Sequence, residues 1–234
     1  MKVVVLQSNY VPWKGYFDLI HDADLFVHYD EVKYTKNDWR NRNAILTKSG
    51  RQWLTIPIAK SAVQQKISEV RIEDARWQER HFRSLYYGYK SAAHFAQLEP
   101  LLHEFYHERE WDRLIDVDRH ILGRVSDMLG IATRFVDSAD YALEGKREGR
   151  LLGLLKQLGA TEYISGPAAR DYLTPVEPDF AAAGIQITYK DYAGYPTYRQ
   201  MNPEFDHAVS ILDMIANVAL DEIGERIWGW RDAR

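Results

Sequence analysis

Residues 3–43, VVVLQSNYVPWKGYFDLIHDADLFVHYDEVKYTKNDWRNRN, limit what this chain can fold into more than any other stretch. The apolar run at 3–6 suits a buried strand, and residues 24–29 suit a second. Between them, residues 13–21 are helix-sized, with Trp13, Phe17 and Ile20 on one face. Strand, turn, helix and strand in that order predict a parallel pair. In open parallel sheets ligands sit beyond the carboxyl ends of the strands, so the loops after each strand are the first candidate site. The first loop carries Gln7, Asn9, Tyr10, Trp13 and Lys14. The second carries Asp30, Tyr34, Lys36, Asp38, Trp39, Arg40, Asn41, Arg42 and Asn43.

Four cations, Lys14, Lys36, Arg40 and Arg42, lie on those two loops. Converging there, they suit a phosphate or carboxylate, Arg by paired hydrogen bonds and Lys as a point charge. Tyr10, Trp13, Tyr34 and Trp39 offer rings for a base or sugar. Asp30 and its neighbour Glu31 suit a metal, the orienting of a lysine, or a general base. The competing reading of the same residues is a solvated loop pinned by aromatic packing.

QSNYVPWKGYFDLI, followed by an apolar strand and DEVKYTKNDWRNRN, resembles the WbqC-like family, bacterial proteins often encoded among genes for surface polysaccharides. Further matches are RQWLTIPI at 51–58, EYISGPAARDYL at 162–173, and SILDMIAN at 210–217 with Phe205 before it. Many relatives carry His-Gln-Pro where this chain has Leu6, Gln7 and Ser8, so a role for that histidine does not transfer. The resemblance implies an enzyme of O-antigen-type polysaccharide biosynthesis. Such a transferase would bind a nucleotide-activated amino sugar or a related activated intermediate and move an acyl or aminoacyl group.

The length, 234 residues, suits one α/β domain with a sizeable core. A net charge of −4 argues against nucleic acid as a general partner, leaving only the local basic loop. With no cysteine, disulfides and thiolate chemistry are excluded. No stretch reads as a signal peptide or membrane span, so a cytoplasmic protein with no membrane insertion is expected. No cofactor is named by any motif, and homodimerisation is left open.

Further along, residues 44–47 and 52–56 read as a hairpin closed by KSGR. Residues 67–72 alternate like a half-exposed strand. Asp74 caps a helix to about residue 89, with Trp77, His81 and Leu85 on one face. Pro100 suits the first turn of a second helix, and a third spans about 111–129 before Gly130. These helices form an insertion at about 74–130. The second half returns to alternation: strand 132–136, helix 146–158, strand 162–165, a short helix, strand 185–189, a Tyr/Pro loop, and a last helix at 207–220. Right-handed crossovers then build a mostly parallel, Rossmann-like doubly wound sheet.

Neither G-x-G-x-x-G nor a Walker lysine motif is present. The nucleotidyl-transferring α/β enzymes that the element order resembles use a His-x-Gly-His turn, which this chain lacks. Ser165 and Gly166 end a strand, with Arg170 on the next turn, a second candidate anion site. His103 to His107 match H-E-x-x-H, but the helix carries core residues, and no metal site is assigned. His81 is the first choice for proton transfer because histidine titrates near neutral pH. With Lys36 and Asp30 it completes the expected catalytic group. Asp213, on an apolar helix face, needs a partner if buried. The expected ligand is a small anionic molecule, a nucleotide sugar or an activated acyl donor. The alternative is a non-catalytic protein that holds a glycan or a partner with the same loops.

Overall fold

The computed structural model describes residues 1–231. Five strands, β1 (Lys2–Leu6), β2 (Leu25–His28), β5 (Arg134–Asp137), β6 (Glu162–Ser165) and β7 (Gln186–Tyr189), form one sheet, ordered β5-β2-β1-β6-β7. All four pairings are parallel. The remaining strands, β3 (Arg42–Thr47) and β4 (Gly50–Thr55), make a separate antiparallel hairpin.

Side-chain alternation assigns each face of the sheet its own layer. Val4, Phe26 and Ile164 pack with helix α1 (Lys14–His21), through Phe17 and Ile20. The same layer holds α2 (Trp77–Tyr89), α3 (Phe95–Tyr106) and α4 (Leu114–Met128). Val3, Val5, Leu25 and Val27 point the other way. They meet Leu151, Leu154 and Leu155 of α5 (Arg147–Gln157), Leu173 of α6 (Arg170–Leu173) and Phe180 of α7 (Glu177–Ala182). Both faces are therefore covered, as near-continuous apolar strands require.

From β1 the chain winds through α1 to β2, and through the three helices to β5. It then crosses back by α5 to β6 on the far side of β1. Winding reverses between β1 and β6, and that reversal leaves a crevice at their carboxyl ends.

Three sequence expectations change. Residues 67–72 are not a strand. Ile67–Glu69 make a 3-10 turn, and only single bridges at Arg71 and Ile72 remain, because Ile67 and Val70 both turn into the core. Pro100 lies inside α3, which starts at Phe95 because Phe95, Leu98, Leu101 and Phe105 form one buried stripe. The last helix is two: α8 (Ile211–Asn217), capped by Ser210 Oγ accepting from the Leu212 amide at 3.2 Å, and α9 (Leu220–Ile227). No helix among the described residues is long and apolar enough to cross a membrane.

Candidate functional site

A cleft of about 860 Å³ opens where the winding reverses. Val5, Leu6 and Gln7 from β1 and its loop form its floor, with Tyr163, Gly166 and Ala168 from β6 and the turn after it. Its rim carries Arg40, Arg147 and Arg150 against one carboxylate, Glu148, and the rings of Trp13, Trp39, Tyr172 and Tyr192.

The two loops proposed from sequence do meet. The Tyr10 amide donates to the Trp39 carbonyl at 3.0 Å, and Arg40 Nη1 donates to Asn9 Oδ1. Val11 holds the left-handed region at φ +37°, a strained state for a β-branched residue. Asn43 sustains it, donating through Nδ2 to the Tyr10 and Val11 carbonyls at 3.1 and 3.0 Å. From behind, the Ile211 amide donates to the Pro12 carbonyl at 2.9 Å and that of Ser210 to the Ala44 carbonyl at 2.8 Å. The SILDMIAN block thus clamps the loop that carries Gln7 and Asn9. The indole of Trp13 folds directly over Gly15, where any Cβ would collide with it.

Beneath the loop lies a charged network. Asp30, fully buried, accepts from the Ser8 amide (2.8 Å), Ser8 Oγ (2.7 Å), and Arg119 Nε and Nη2 (3.0 and 2.8 Å). His28 Nδ1 is 3.1 Å from Ser8 Oγ. Burial, and then the Arg119 charge, push His28 down to about 4, so its imidazole is neutral at pH 7. Asp118 on α4 is fully buried, and neither of its oxygens has a hydrogen-bond partner among the described residues. Burial, reinforced by Asp30, drives its pKa well above the usual carboxylate range.

Of the residues singled out in the sequence, Gln7, Asn9, Trp13, Trp39, Arg40 and Gly166 line the cleft. The others lie elsewhere, each for a physical reason. His81 is sealed in the core: its Nδ1 meets the Tyr10 hydroxyl at 2.8 Å, and that hydroxyl meets Tyr106 at 2.5 Å. Burial pushes His81 down to about 3, unsuited to proton transfer at neutral pH. Tyr10 packs edge-on to Trp77, and Tyr34 is buried, so neither ring is offered to a ligand. Lys14 turns away from the cleft. Its Nζ lies 2.7 Å from His207 Nδ1, over the rings of Tyr195, Tyr198 and Phe205, and burial lowers its pKa to about 8.

Arg42 stacks on Trp53 at 4.7 Å, Arg170 on Tyr189 at 4.8 Å, and Lys36 is exposed on the loop before Asn37. Ser165 is buried, accepting from the Tyr163 hydroxyl at 3.3 Å. Asp30 holds the loop from below, and Asn43 acts on its backbone. Asp213 finds its partners in Tyr89, Tyr198 and Gln200. In the H-E-x-x-H stretch, Glu104 turns to Arg124 and His120, each at 3.0 Å, away from both flanking histidines.

Sequence reasoning passed over Arg147, Glu148 and Arg150. Their signal was the run GKREGR at 145–150, a basic turn opening the crossover helix α5. Arg147 there sits at φ +48° after Gly145 at φ +78°. Tyr172 and Tyr192 come from segments far apart in sequence, and only folding brings them to one rim.

These features define a doubly wound parallel α/β protein with a cationic, ring-lined crevice at its switch point. The chain belongs to the WbqC-like protein family, whose model matches residues 7–225. It is 44% identical over 221 residues to a protein of Mycobacterium tuberculosis (strain ATCC 25618 / H37Rv), uncharacterized protein Rv1507c. The match covers 94% of this chain and 95% of that relative. No solved structure matches the chain.

Proposed function

We propose that the protein is a transferase of surface-polysaccharide biosynthesis that binds a nucleotide-activated amino sugar in the switch-point cleft and acylates its amine. The observation that supports this most is the lining: three arginines within one crevice large enough for a nucleotide sugar, ringed by indoles and phenols. Arg147 and Arg150, with Arg40 opposite, suit the diphosphate, since guanidinium groups pair two of their N–H bonds with phosphate oxygens. Trp13, Tyr172 and Tyr192 provide faces for the base and sugar. Glu148 is the only carboxylate lining the cleft among the described residues, and it serves as the general base. In the transfer step the sugar nitrogen forms the new C–N bond to the acyl carbon of an activated donor such as a thioester. The bond to the leaving group breaks with its electron pair, and Glu148 takes the nitrogen's proton. The polysaccharide setting rests on family likeness.

Calorimetry with uridine diphosphate amino sugars and with pyrophosphate tests the reading. Binding to the native protein is expected. Each charge-assisted bond to phosphate contributes about 1.5–3 kcal/mol, so Arg147→Ala and Arg150→Ala should each weaken affinity by roughly tenfold to a hundredfold. Silence across nucleoside diphosphate sugars refutes it. Glu148→Gln separates catalysis from mere holding, because turnover should vanish while affinity persists.

A further inference from the structure

The cleft does not end at Trp39. Beside it lies a second chamber of about 320 Å³, lined by Asn9, Pro12, Trp13, Trp39, Asn43 and Ala208. Asn9, Trp13 and Trp39 line both spaces, so one amide and two indoles stand between them. The chambers differ in chemistry. The larger carries three arginines and a carboxylate, whereas no charged side chain among the described residues lines the smaller.

Polar capacity in the small chamber is restricted. Asn43 has both amide hydrogens committed to the Tyr10 and Val11 carbonyls, and its Oδ1 accepts from the Ala44 amide at 2.8 Å. Asn9 is different. A guanidinium only donates, so the bond from Arg40 Nη1 fixes Oδ1 as the atom facing it. The Nδ2 of Asn9 is left with no hydrogen-bond acceptor among the described residues, at the junction of the two spaces. The small chamber therefore offers largely apolar walls and side-chain donors, the oriented Asn9 amide at its mouth and the indole N–H groups of Trp13 and Trp39, while both amide oxygens already accept a hydrogen bond.

We propose that this chamber seats the acyl group of the second substrate, with its carbonyl oxygen accepting from Asn9 Nδ2. This rests on the reading of the larger chamber as the nucleotide-sugar site and adds the class of its co-substrate. A carboxylate finds no cation among these side chains. A pyranose brings several hydroxyl hydrogens that need acceptors, and the only side-chain acceptors here among the described residues, Asn9 Oδ1 and Asn43 Oδ1, already take bonds from Arg40 and the Ala44 amide, so hydroxyls left without partners oppose binding. A short neutral acyl chain fits on both counts: its methylenes meet Pro12, the indole faces and Ala208, and it brings a carbonyl acceptor and no hydroxyl hydrogen to a chamber whose side chains offer donors. Arg40, which does not itself line the small chamber, acts through its bond to Asn9 as the positioning residue that keeps the amide turned the right way.

The test uses the butyryl thioester of N-acetylcysteamine as the acyl probe and a uridine diphosphate amino sugar as the other ligand, each titrated separately into the full chain. Ala208 lines only the small chamber and is exposed, so Ala208→Phe fills that space without reaching the core. It is expected to weaken the thioester at least tenfold while changing nucleotide-sugar affinity by less than twofold. Asn9→Asp keeps a partner for Arg40 but removes the donor, and should weaken the thioester about fivefold or more. Thermal melts confirm that both variants fold. The proposal is overturned if the native protein binds the nucleotide sugar but not the thioester, or if Ala208→Phe binds the thioester as well as the native chain does. Thioester binding lost in Ala208→Phe, in a protein that ignores every nucleotide sugar, would instead sink the larger-chamber reading and leave only the acyl seat, without its sugar co-substrate.

Discussion

Arg119→Met removes the cation from the network beneath the first loop and leaves Asp30 in place. Asp30 is fully buried, and two of its four contacts come from Arg119. Taking one partner from a buried ion pair destabilises by about 3–5 kcal/mol, since the remaining charge stays out of water. The Ser8 amide and hydroxyl stay at 2.8 and 2.7 Å and still solvate the carboxylate. The loss should therefore fall at the lower end, about 3 kcal/mol, which for a chain of this size is a fall in Tm of roughly 6–12 °C. Two controls separate charge from packing. Asp30→Asn combined with Arg119→Met neutralises the buried pair, leaves only the part-exposed Asp137 that Arg119 also holds, and should recover part of the loss. In the single variant, His28 loses the neighbouring charge that helps depress it, so its pKa should climb from about 4 toward 6.5 when followed by NMR titration. A fall in Tm below about 3 °C, with His28 unmoved, would refute the view that Arg119 compensates a buried charge there.

Acid should destabilise the protein through two neutral buried histidines. His81 has a pKa of about 3 and His28 of about 4 in the fold, against 6.5 when unfolded. The unfolded chain binds these protons more tightly, so their stabilisation is complete above pH 6.5. It is lost as pH falls from 6.5, toward about 4 for His28 and about 3 for His81, by on the order of 1.4 kcal/mol per unit for each group. His81→Gln, which cannot titrate, should flatten that acid limb in urea melts; an unchanged limb argues against it. Asp118→Leu replaces an unpartnered buried acid by an apolar group of similar shape and is expected to stabilise by about 1–3 kcal/mol at pH 7. A loss of stability on denaturant unfolding would show that Asp118 has a partner after all. Gly15→Ala forces the Trp13 indole off its seat over α1. Because that ring walls both chambers, nucleotide-sugar affinity should fall at least fivefold, with a distinct shift in tryptophan fluorescence; unchanged affinity would mean the ring does not shape the site.

The sequence by itself determined the parallel strand–helix–strand opening, the hairpin, the helical run before the second half, and the place of the loops at the carboxyl edge. Apolar spacing is a local property, and it decides which residues face a core. It also marked Gln7, Asn9, Trp13, Trp39, Arg40 and Gly166, all from turns that follow strands. Only the tertiary structure decided which polar side chains in those turns reach the cleft. Lys14 and Asp30 read alike as free charges, yet one folds into an aromatic cage and the other beneath the loop, because partners more than 80 residues away, His207 and Arg119, claim them. Arg147 and Arg150 showed only as a basic turn, not as site residues, for the converse reason: α5 crosses back over the sheet to β6, and that crossing brings its first turn to the end of β1. Nothing in the spacing of the chain encodes such a meeting, because it follows from the reversal of winding in the finished sheet.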